Sequence, residues 1–415
     1  MSRCPPREGS RRGREACGRA GTRADSSHSR DGDAGGSGRS RKKGGSGRTC
    51  TCGSQRRHGG RKSRFIVTSA GTLKLARVYF LCSSCTVGGF PLDERLGVTG
   101  RYSPQAQRLI CLAGGSWSYD VAAERLEELS GLDVSDTTIR ELSQEHGARM
   151  NEWQRTDKAA VQAFREAEGD IELTSDGTCV NTTEGWREMR VGIYSKRQRG
   201  PAATPDEWDS RELPAAEGRV AFAAIEDSER FGSRWDQWAA RLGIRDYSRI
   251  HFLADGAKCL WEELRKNLIG ATGTLDIYHA QEHIAAAAKS VFPDPAQAAG
   301  WEADTCAALR SLGLAGVEEQ VRSALDGTGP SGRKALASLR GYLGNHVDHL
   351  NYRARLAEGR SIGSGQVEGA CKHMIGRRLK QTGARWRIRR VNRMAGLCCC
   401  LYSHNWDAYW TTLGV

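Results

Sequence analysis

Three acidic residues in this 415-residue chain stand where a carboxylate could do chemistry. Asp176 lies in GDIELTSDGTCVNTTEGWREMRVGIYSKR (169–197), Asp255 in RIHFLADGAKCLWEEL, and Glu368 in the Gly-rich stretch GSGQVEGACKH. Each has a plain structural reading. Asp176-Gly177 could be a hairpin turn, Asp255-Gly256 a strand-end turn capping the next helix, and Glu368 the partner of Lys372 at i+4. Asp255, however, follows Ile250, Phe252, Leu253 and Ala254, a strand apolar on both faces and hence expected to be central. A carboxylate at its end is costly to bury unless a cation or donors compensate. Three acids gathered at one point hold divalent metal. Two Mg²⁺ ions about 3.5–4 Å apart stabilise the attacking and leaving oxygens of phosphodiester chemistry.

The elements that must position these acids are legible as pattern. Ile171 and Leu173 alternate with polar residues toward Asp176, which places that carboxylate at or near a strand end. Met189-Arg-Val191-Gly-Ile193 reads as the next strand, followed by a polar loop at 199–217 and a third run at Arg219–Ile225. A helix around Trp235 and Trp238 precedes the strand Arg249–Ala254, which enters the helix AKCLWEELRKNL through Asp255. A last strand, Thr274–Tyr278, runs into the helix HAQEHIAAAAKSVF. Three successive strands followed by strand–helix alternation predict a mixed sheet covered by helices. Residues 293–357 read as a helical insertion. In 358–415, glycines 363 and 365 form a loop, and Val367, Cys371, Met374 and Ile375 then recur at helical spacing. That puts Glu368 in a first turn, where the helix dipole favours a carboxylate.

Upstream, residues 1–48 are Gly, Ser and Arg with almost no large apolar side chain, a composition expected to be disordered. Residues 49–90 read as a small zinc module. Cys50-Thr-Cys52 and Cys82-Ser-Ser-Cys85 flank a hairpin turning near Gly71, and four thiolates satisfy tetrahedral Zn²⁺. His58 is an alternative ligand to the tight C-x-C pair. Residues 91–168 read as helical, with Ser103-Pro104 as N-cap and first helical position. Val121, Ala122, Leu126 and Leu129 should line one face of a first short helix, Ile139 and Leu142 that of a second. The pair has the form of a helix-turn-helix or of an ordinary αα-hairpin.

Charge is concentrated at two places. Residues 1–64 hold 18 Lys and Arg against 5 acids, and residues 360–393 hold 10 against 1. Such clustering predicts a polyanionic partner whose affinity falls with salt. Lys372, Arg377, Arg378, Lys380, Arg385, Arg387, Arg389 and Arg390 are the expected phosphate contacts, with Trp386 either a stacking or wedge residue or core. No run of 18 apolar residues exists, which argues against a membrane span. The N-terminus lacks a secretory apolar region, so the cysteines are expected as reduced thiols or metal ligands in the cytoplasm.

At these residues the chain resembles the ISKra-type transposases of bacterial insertion sequences, DDE enzymes of the Mutator-like group with a ribonuclease H-like core. The blocks are PLDERLG, SDGTCVNTTEGWREMRVGIY, HFLADGAKCLWEEL, DIYHAQEH and SGQVEGACKHMIGRRLKQTGARW, in order, and the likeness covers roughly 50–405. The resemblance implies Asp176, Asp255 and Glu368 as the Mg²⁺ (or Mn²⁺) triad. It implies a ribonuclease H-like core in two parts, 169–292 and 358–415, around the insertion. Asp276 and His279 match the family's D-x-x-H element. The family's opening ribbon is C-x-x-C; here Thr49 holds the first position and Cys50 comes one place late. The implied partners are DNA, as element ends with terminal inverted repeats and as target, and a second copy of the chain in a synaptic complex on the nucleoid.

Two other readings compete. One is a zinc-ribbon DNA-binding remnant with an inactive core. The other is a zinc hydrolase, because His279-Ala-Gln-Glu282-His283 satisfies H-x-x-E-H, with His346 and His349 downstream. That motif needs both histidines on one helix, whereas the pattern places His279 at a strand end.

Overall fold

The computed structural model describes residues 49–98, 100–381 and 383–415, so the tail expected at 1–48 lies outside the described residues. Strand β1 (Arg56–Thr68) turns at Ser69-Ala70 into β2 (Gly71–Cys82), and the two-residue β3 (Gly88–Gly89) completes a small antiparallel sheet. The hairpin therefore turns beside Gly71, as its sequence signals. Helix α1 (Pro91–Arg95) follows; its Asp93 pairs with both Arg64 and Arg77 and ties the helix to the hairpin.

Helices α2 (Pro104–Ser116), α3 (Tyr119–Ser130), α4 (Asp136–Thr156) and α5 (Ala159–Glu166) form the next layer. Ser103 caps α2 by accepting from the Ala106 N–H, and Gly131 ends α3 in the left-handed conformation with φ 65°. Ala122 and Leu126 of α3 pack with Ile139 of α4, but Leu129 is 74% exposed. Leu129 stands at i+7 from Ala122, on the same face, but in the last turn of the helix before Gly131.

The central sheet has the order β6-β5-β4-β7-β8. Strands β4 (Asp170–Thr182), β5 (Gly185–Arg197) and β6 (Gly218–Ala224) pair antiparallel, whereas β7 (Ile250–Ala254) and β8 (Thr272–Leu275) run parallel to β4. Between them lie α6 (Ser228–Leu242) and α7 (Lys258–Asn267), the crossovers that parallel pairing requires. Leu173 and Phe252 point from the sheet into a core with Trp235 and Trp261. The fold is mixed α/β. The last strand ends earlier than its pattern suggests. Asp276 caps helix α8 (Ile277–Val291) by accepting from the His279 N–H, so Ile277 and Tyr278 are helical.

Helices α9 (Pro295–Leu312), α10 (Leu314–Leu325), α11 (Pro330–Gly344) and α12 (Tyr352–Ala357) form the insertion, whose Leu309, Val317 and Leu343 extend the same core. The chain returns through α13 (Gly365–Ala370), a π-helical turn at Cys371–Gly376 and α14 (Arg377–Leu379), then α15 (Ile388–Tyr402) and α16 (Trp406–Thr411). Helix α15 crosses α4 at Gly147, where a Cβ would stand 2.3 Å from the Arg393 carbonyl oxygen. Gln144, Asn151 and Gln154 of α4 donate to carbonyls of Arg390, Asn392 and Gly396 along that crossing. The helical layer is thus welded to the C-terminal segment.

Two histidines inside this framework are held neutral. His146 accepts at Nδ1 from the Tyr409 hydroxyl (2.9 Å) and donates from Nε2 to the Gln107 side-chain oxygen (2.8 Å), an orientation set because the Gln107 amide donates to Tyr102. Burial pushes His146 down to about 4, and burial pushes His251, bonded to Thr272 and Thr274, down further. The unfolded chain takes up protons at these positions below about pH 6.5 that the folded chain refuses. Stability should be full above that pH and fall as pH drops from 6.5 toward 5, by up to about 1.4 kcal/mol per pH unit for each histidine. Urea midpoints at pH 7.5 and 5.0 measure this; His146→Gln should flatten the dependence, and an equal slope in that variant would contradict the assignment.

Candidate metal centres

The parallel register lines up three aspartates. Thr174 is level with Leu253 and Ala254 with Leu275, so continuing each pairing sets Asp176, Asp255 and Asp276 in one row across β4, β7 and β8. Residues two apart share a sheet face. Glu172, Thr174 and Asp176 therefore lie on the face opposite to Leu173 and its tryptophan-rich core. Asp176 is not at a strand end: β4 runs six residues past it, paired with β5 as far as Thr182 and Gly185. Its parallel neighbour stops instead, which opens the sheet beside Asp176 on that edge alone.

Asp255 accepts from the Ala257 N–H (3.0 Å) in the turn that leads into α7; the N-cap of that helix is Ala257, without a side-chain cap. Its backbone carbonyl accepts from the Trp261 indole (2.7 Å). Gly256 is required by approach: a Cβ there would meet the Tyr342 ring at 2.3 Å. Tyr342 thereby brings the insertion over the acids, and burial together with the charges of Asp255 and Asp276 pushes its phenol up to about 12.

Glu368 arrives through the Gly-rich segment. Asp276 is fully buried and accepts from the Ser364 N–H, while the Ser364 carbonyl accepts from the N–H groups of Val367 and Glu368 (2.9 and 3.3 Å). Ligand atoms of Asp276, His279 and Glu368 all fall within 4.8 Å of one another. Asp176 and Asp255 stand outside that trio. Glu368 also lies 3.8 Å from Lys372, the i+4 pair.

The electrostatics couple these groups. Burial raises the Asp176 carboxyl above its ordinary value, and the nearby Asp255 charge adds to this against the Gly177 N–H. Burial acts to raise Asp276 as well, but bonds from the His279 ring and Ser364 carry it below the usual range. The hydrogen bond to Asp276 raises His279 to about 9, with Asp255 and Glu282 contributing. Cys371, one turn after Glu368, touches Asp176, and its thiol is pushed up by burial and that carboxylate. Neither Cys371 nor Tyr342 carried a signal of this in sequence: one reads as a core position, the other comes from the insertion.

The H-x-x-E-H residues divide. His279 and His283 do share α8, contrary to the strand-end expectation, because the helix begins at Ile277. His283, however, stacks on Tyr342 with centroids 3.7 Å apart, and His349 on Trp261 at 4.0 Å. Among the described residues neither joins a metal-capable group.

The basic segment also divides. Trp386 is buried, donates from its indole to the Leu379 carbonyl (3.0 Å) and bridges to Thr182 of β4. It is core, which corrects the wedge reading. Arg378 is 3% exposed, donates to the Gly114 carbonyl and stacks between the Tyr119 and Trp386 rings. It is thereby withdrawn from direct strand contact. Lys372, Arg377, Lys380, Arg385, Arg387, Arg389 and Arg390 are exposed, with Lys380 reaching Thr178 and Arg385 the Thr182 carbonyl.

The four cysteines of the hairpin module meet. Cys50 and Cys85 sulfurs are 3.4 Å apart, Cys52 and Cys82 sulfurs 3.6 Å, and all four lie within 4.8 Å. A tetrahedron with Zn–S of 2.3 Å has edges of about 3.8 Å, so the spacing fits zinc and is far too long for disulfides. The Cys50-x-Cys52 knuckle closes because Gly53 takes φ 84° and returns its N–H to the Cys50 carbonyl. The Cys52 N–H, and then the Cys85 thiol, lower Cys50 to about 6, a thiolate ready for metal. His58 is not a member; its Nδ1 accepts from the Gly60 N–H in the exposed hairpin.

No family model and no curated protein matches the chain.

The purified chain should retain one zinc per molecule, released by acid as the thiolates protonate. Cys82→Ser should lose it, read as metal content and as the cobalt thiolate absorption on substitution; a wild-type chain that takes up neither metal would refute the site.

Proposed function

We propose that this chain is a DDE transposase, cutting DNA at the ends of an insertion sequence and joining the freed 3′-OH to target DNA. The observation that supports the reading is the row of Asp176, Asp255 and Asp276 on three adjoining strands, with Glu368 brought beside Asp276, at one end of the row, by the 361–365 segment. The sheet supports a ribonuclease H-like core: three antiparallel strands, then two parallel ones added on the far side of the first. The ordered blocks that resemble ISKra-type transposases supply the specific reaction.

The donor set suits a hard cation. Asp176, Asp255 and Glu368 offer only carboxylate oxygens, and burial, with the nearby Asp255 charge, raises the Asp176 carboxyl. These three residues would hold Mg²⁺ (or Mn²⁺), which supplies charge stabilisation at the attacking and leaving oxygens. The chain's own work is positional. Asp276 fixes the backbone on which Glu368 rides, Tyr342 covers the Asp255 turn, and the exposed Lys380, Arg385 and Arg387 draw phosphates toward the sheet edge. The hairpin module and the α3–α4 pair would contact the terminal inverted repeats. Joining two ends requires at least a dimer.

Asp255→Asn should abolish metal-dependent strand cleavage of a duplex carrying an element end, by a factor of 10³ or more on the order of lost metal-site electrostatics, while duplex binding stays near wild type. Cleavage retained in that variant would sink the triad.

A further inference from the structure

A groove of about 710 Å³ lies between the start of α3, the first turns of α4 and the basic segment 378–390. Its volume is in the range of sites that enclose small ligands, and it lies apart from the acid row. Arg140, Arg385, Arg387 and Arg390 line its walls and Arg378 its floor; Asp120 and Asp136 are the acids that face them. Arg140, Arg378, Arg387 and Arg390 form no ion pair among the described residues.

Arg378 is the informative member. Its guanidinium is almost wholly buried, gives one bond to Gly114, and leaves Nη2 without an acceptor. A desolvated cation without an ion-pair partner is costly; the field of Asp120 and stacking on Tyr119 and Trp386 offset part of that. The natural complement is an anion seated in the groove above it. Arg387 and Arg390, exposed and unpaired, are free to make the direct contacts.

We propose that this groove is a phosphate-binding subsite for a polynucleotide strand, contacted by Arg140, Arg387 and Arg390 over the buried charge of Arg378. The proposal rests on the reading of DNA as substrate but not on cleavage. The groove is lined by Thr183, the residue after the end of β4 at Thr182, and Thr182 is six residues along β4 from Asp176, about 20 Å at the usual rise of a strand. A strand seated there is held well away from the acids, so its binding is independent of metal.

The test is binding of a fluorescein-labelled oligonucleotide duplex in EDTA, followed by anisotropy across a salt series. Each lost phosphate contact lowers the slope of log K against log salt by about 0.9. The triple variant R140Q/R387Q/R390Q should lower it by about 2 to 3 in total, while R322Q/R353Q, on the insertion, leaves it unchanged; circular dichroism verifies folding. An unchanged slope in the triple variant, or no oligonucleotide binding by the wild-type chain, overturns the subsite. Saturation by inorganic phosphate with no oligonucleotide binding also overturns it as a polynucleotide site. Cleavage that persists with an unchanged slope leaves the transposase reading standing without the groove. A lost slope with no cleavage in any protein does the reverse.

Discussion

A single buried carboxylate meets three parts of the molecule at one point. Asp276 donates its N–H to the Ala254 carbonyl, caps α8 through one oxygen and receives Ser364 on the other. It therefore binds the end of β7, the start of α8 and the returning Gly-rich segment at one point. The insertion of some sixty residues leaves and re-enters the core between these bonds, so its length does not disturb their geometry. A buried acid without such donors would protonate or destabilise the fold; with them it stays charged and specifies where the chain returns.

Much of this arrangement was legible. The alternation before Asp176, the doubly apolar strand before Asp255 and the helical spacing after Gly365 each state an element type, and each element formed. The four-cysteine cluster was legible because paired cysteines flank a β-hairpin that brings its two ends together, even with C-x-C in place of the commoner spacing. The end of β8 was not. Ile277 and Tyr278 are good strand residues, and only the Asp276 bond to the His279 N–H, a three-residue relation common to helix starts, favours helix. The position of Asp176 within β4 was hidden for a different reason. A strand's end is set by its neighbours, and here β5 continues while β7 stops.

Within the basic segment, sequence gives charge but not direction. Arg377 and Arg378 are adjacent and chemically identical, yet one is exposed and the other forms the floor between two aromatic rings. Only the buried stripe of Val367, Cys371 and Met374, which Arg378 continues through the π-helical turn at Cys371–Gly376, tells them apart. Trp386 was similarly ambiguous until its backbone was seen to pair with β4, since an aromatic beside arginines serves a core or a ligand equally well.

That pairing has a mechanical consequence. The segment between Cys371 and Trp386 is anchored to the same strand twice, through the Cys371–Asp176 contact and through the bonds of Trp386 with Asn181 and Thr183. It is a clasp closed along β4, not an arm that can swing. Load applied to its exposed arginines travels along a strand paired with β5 throughout this stretch, and reaches the Asp176 carboxylate without passing through any loop.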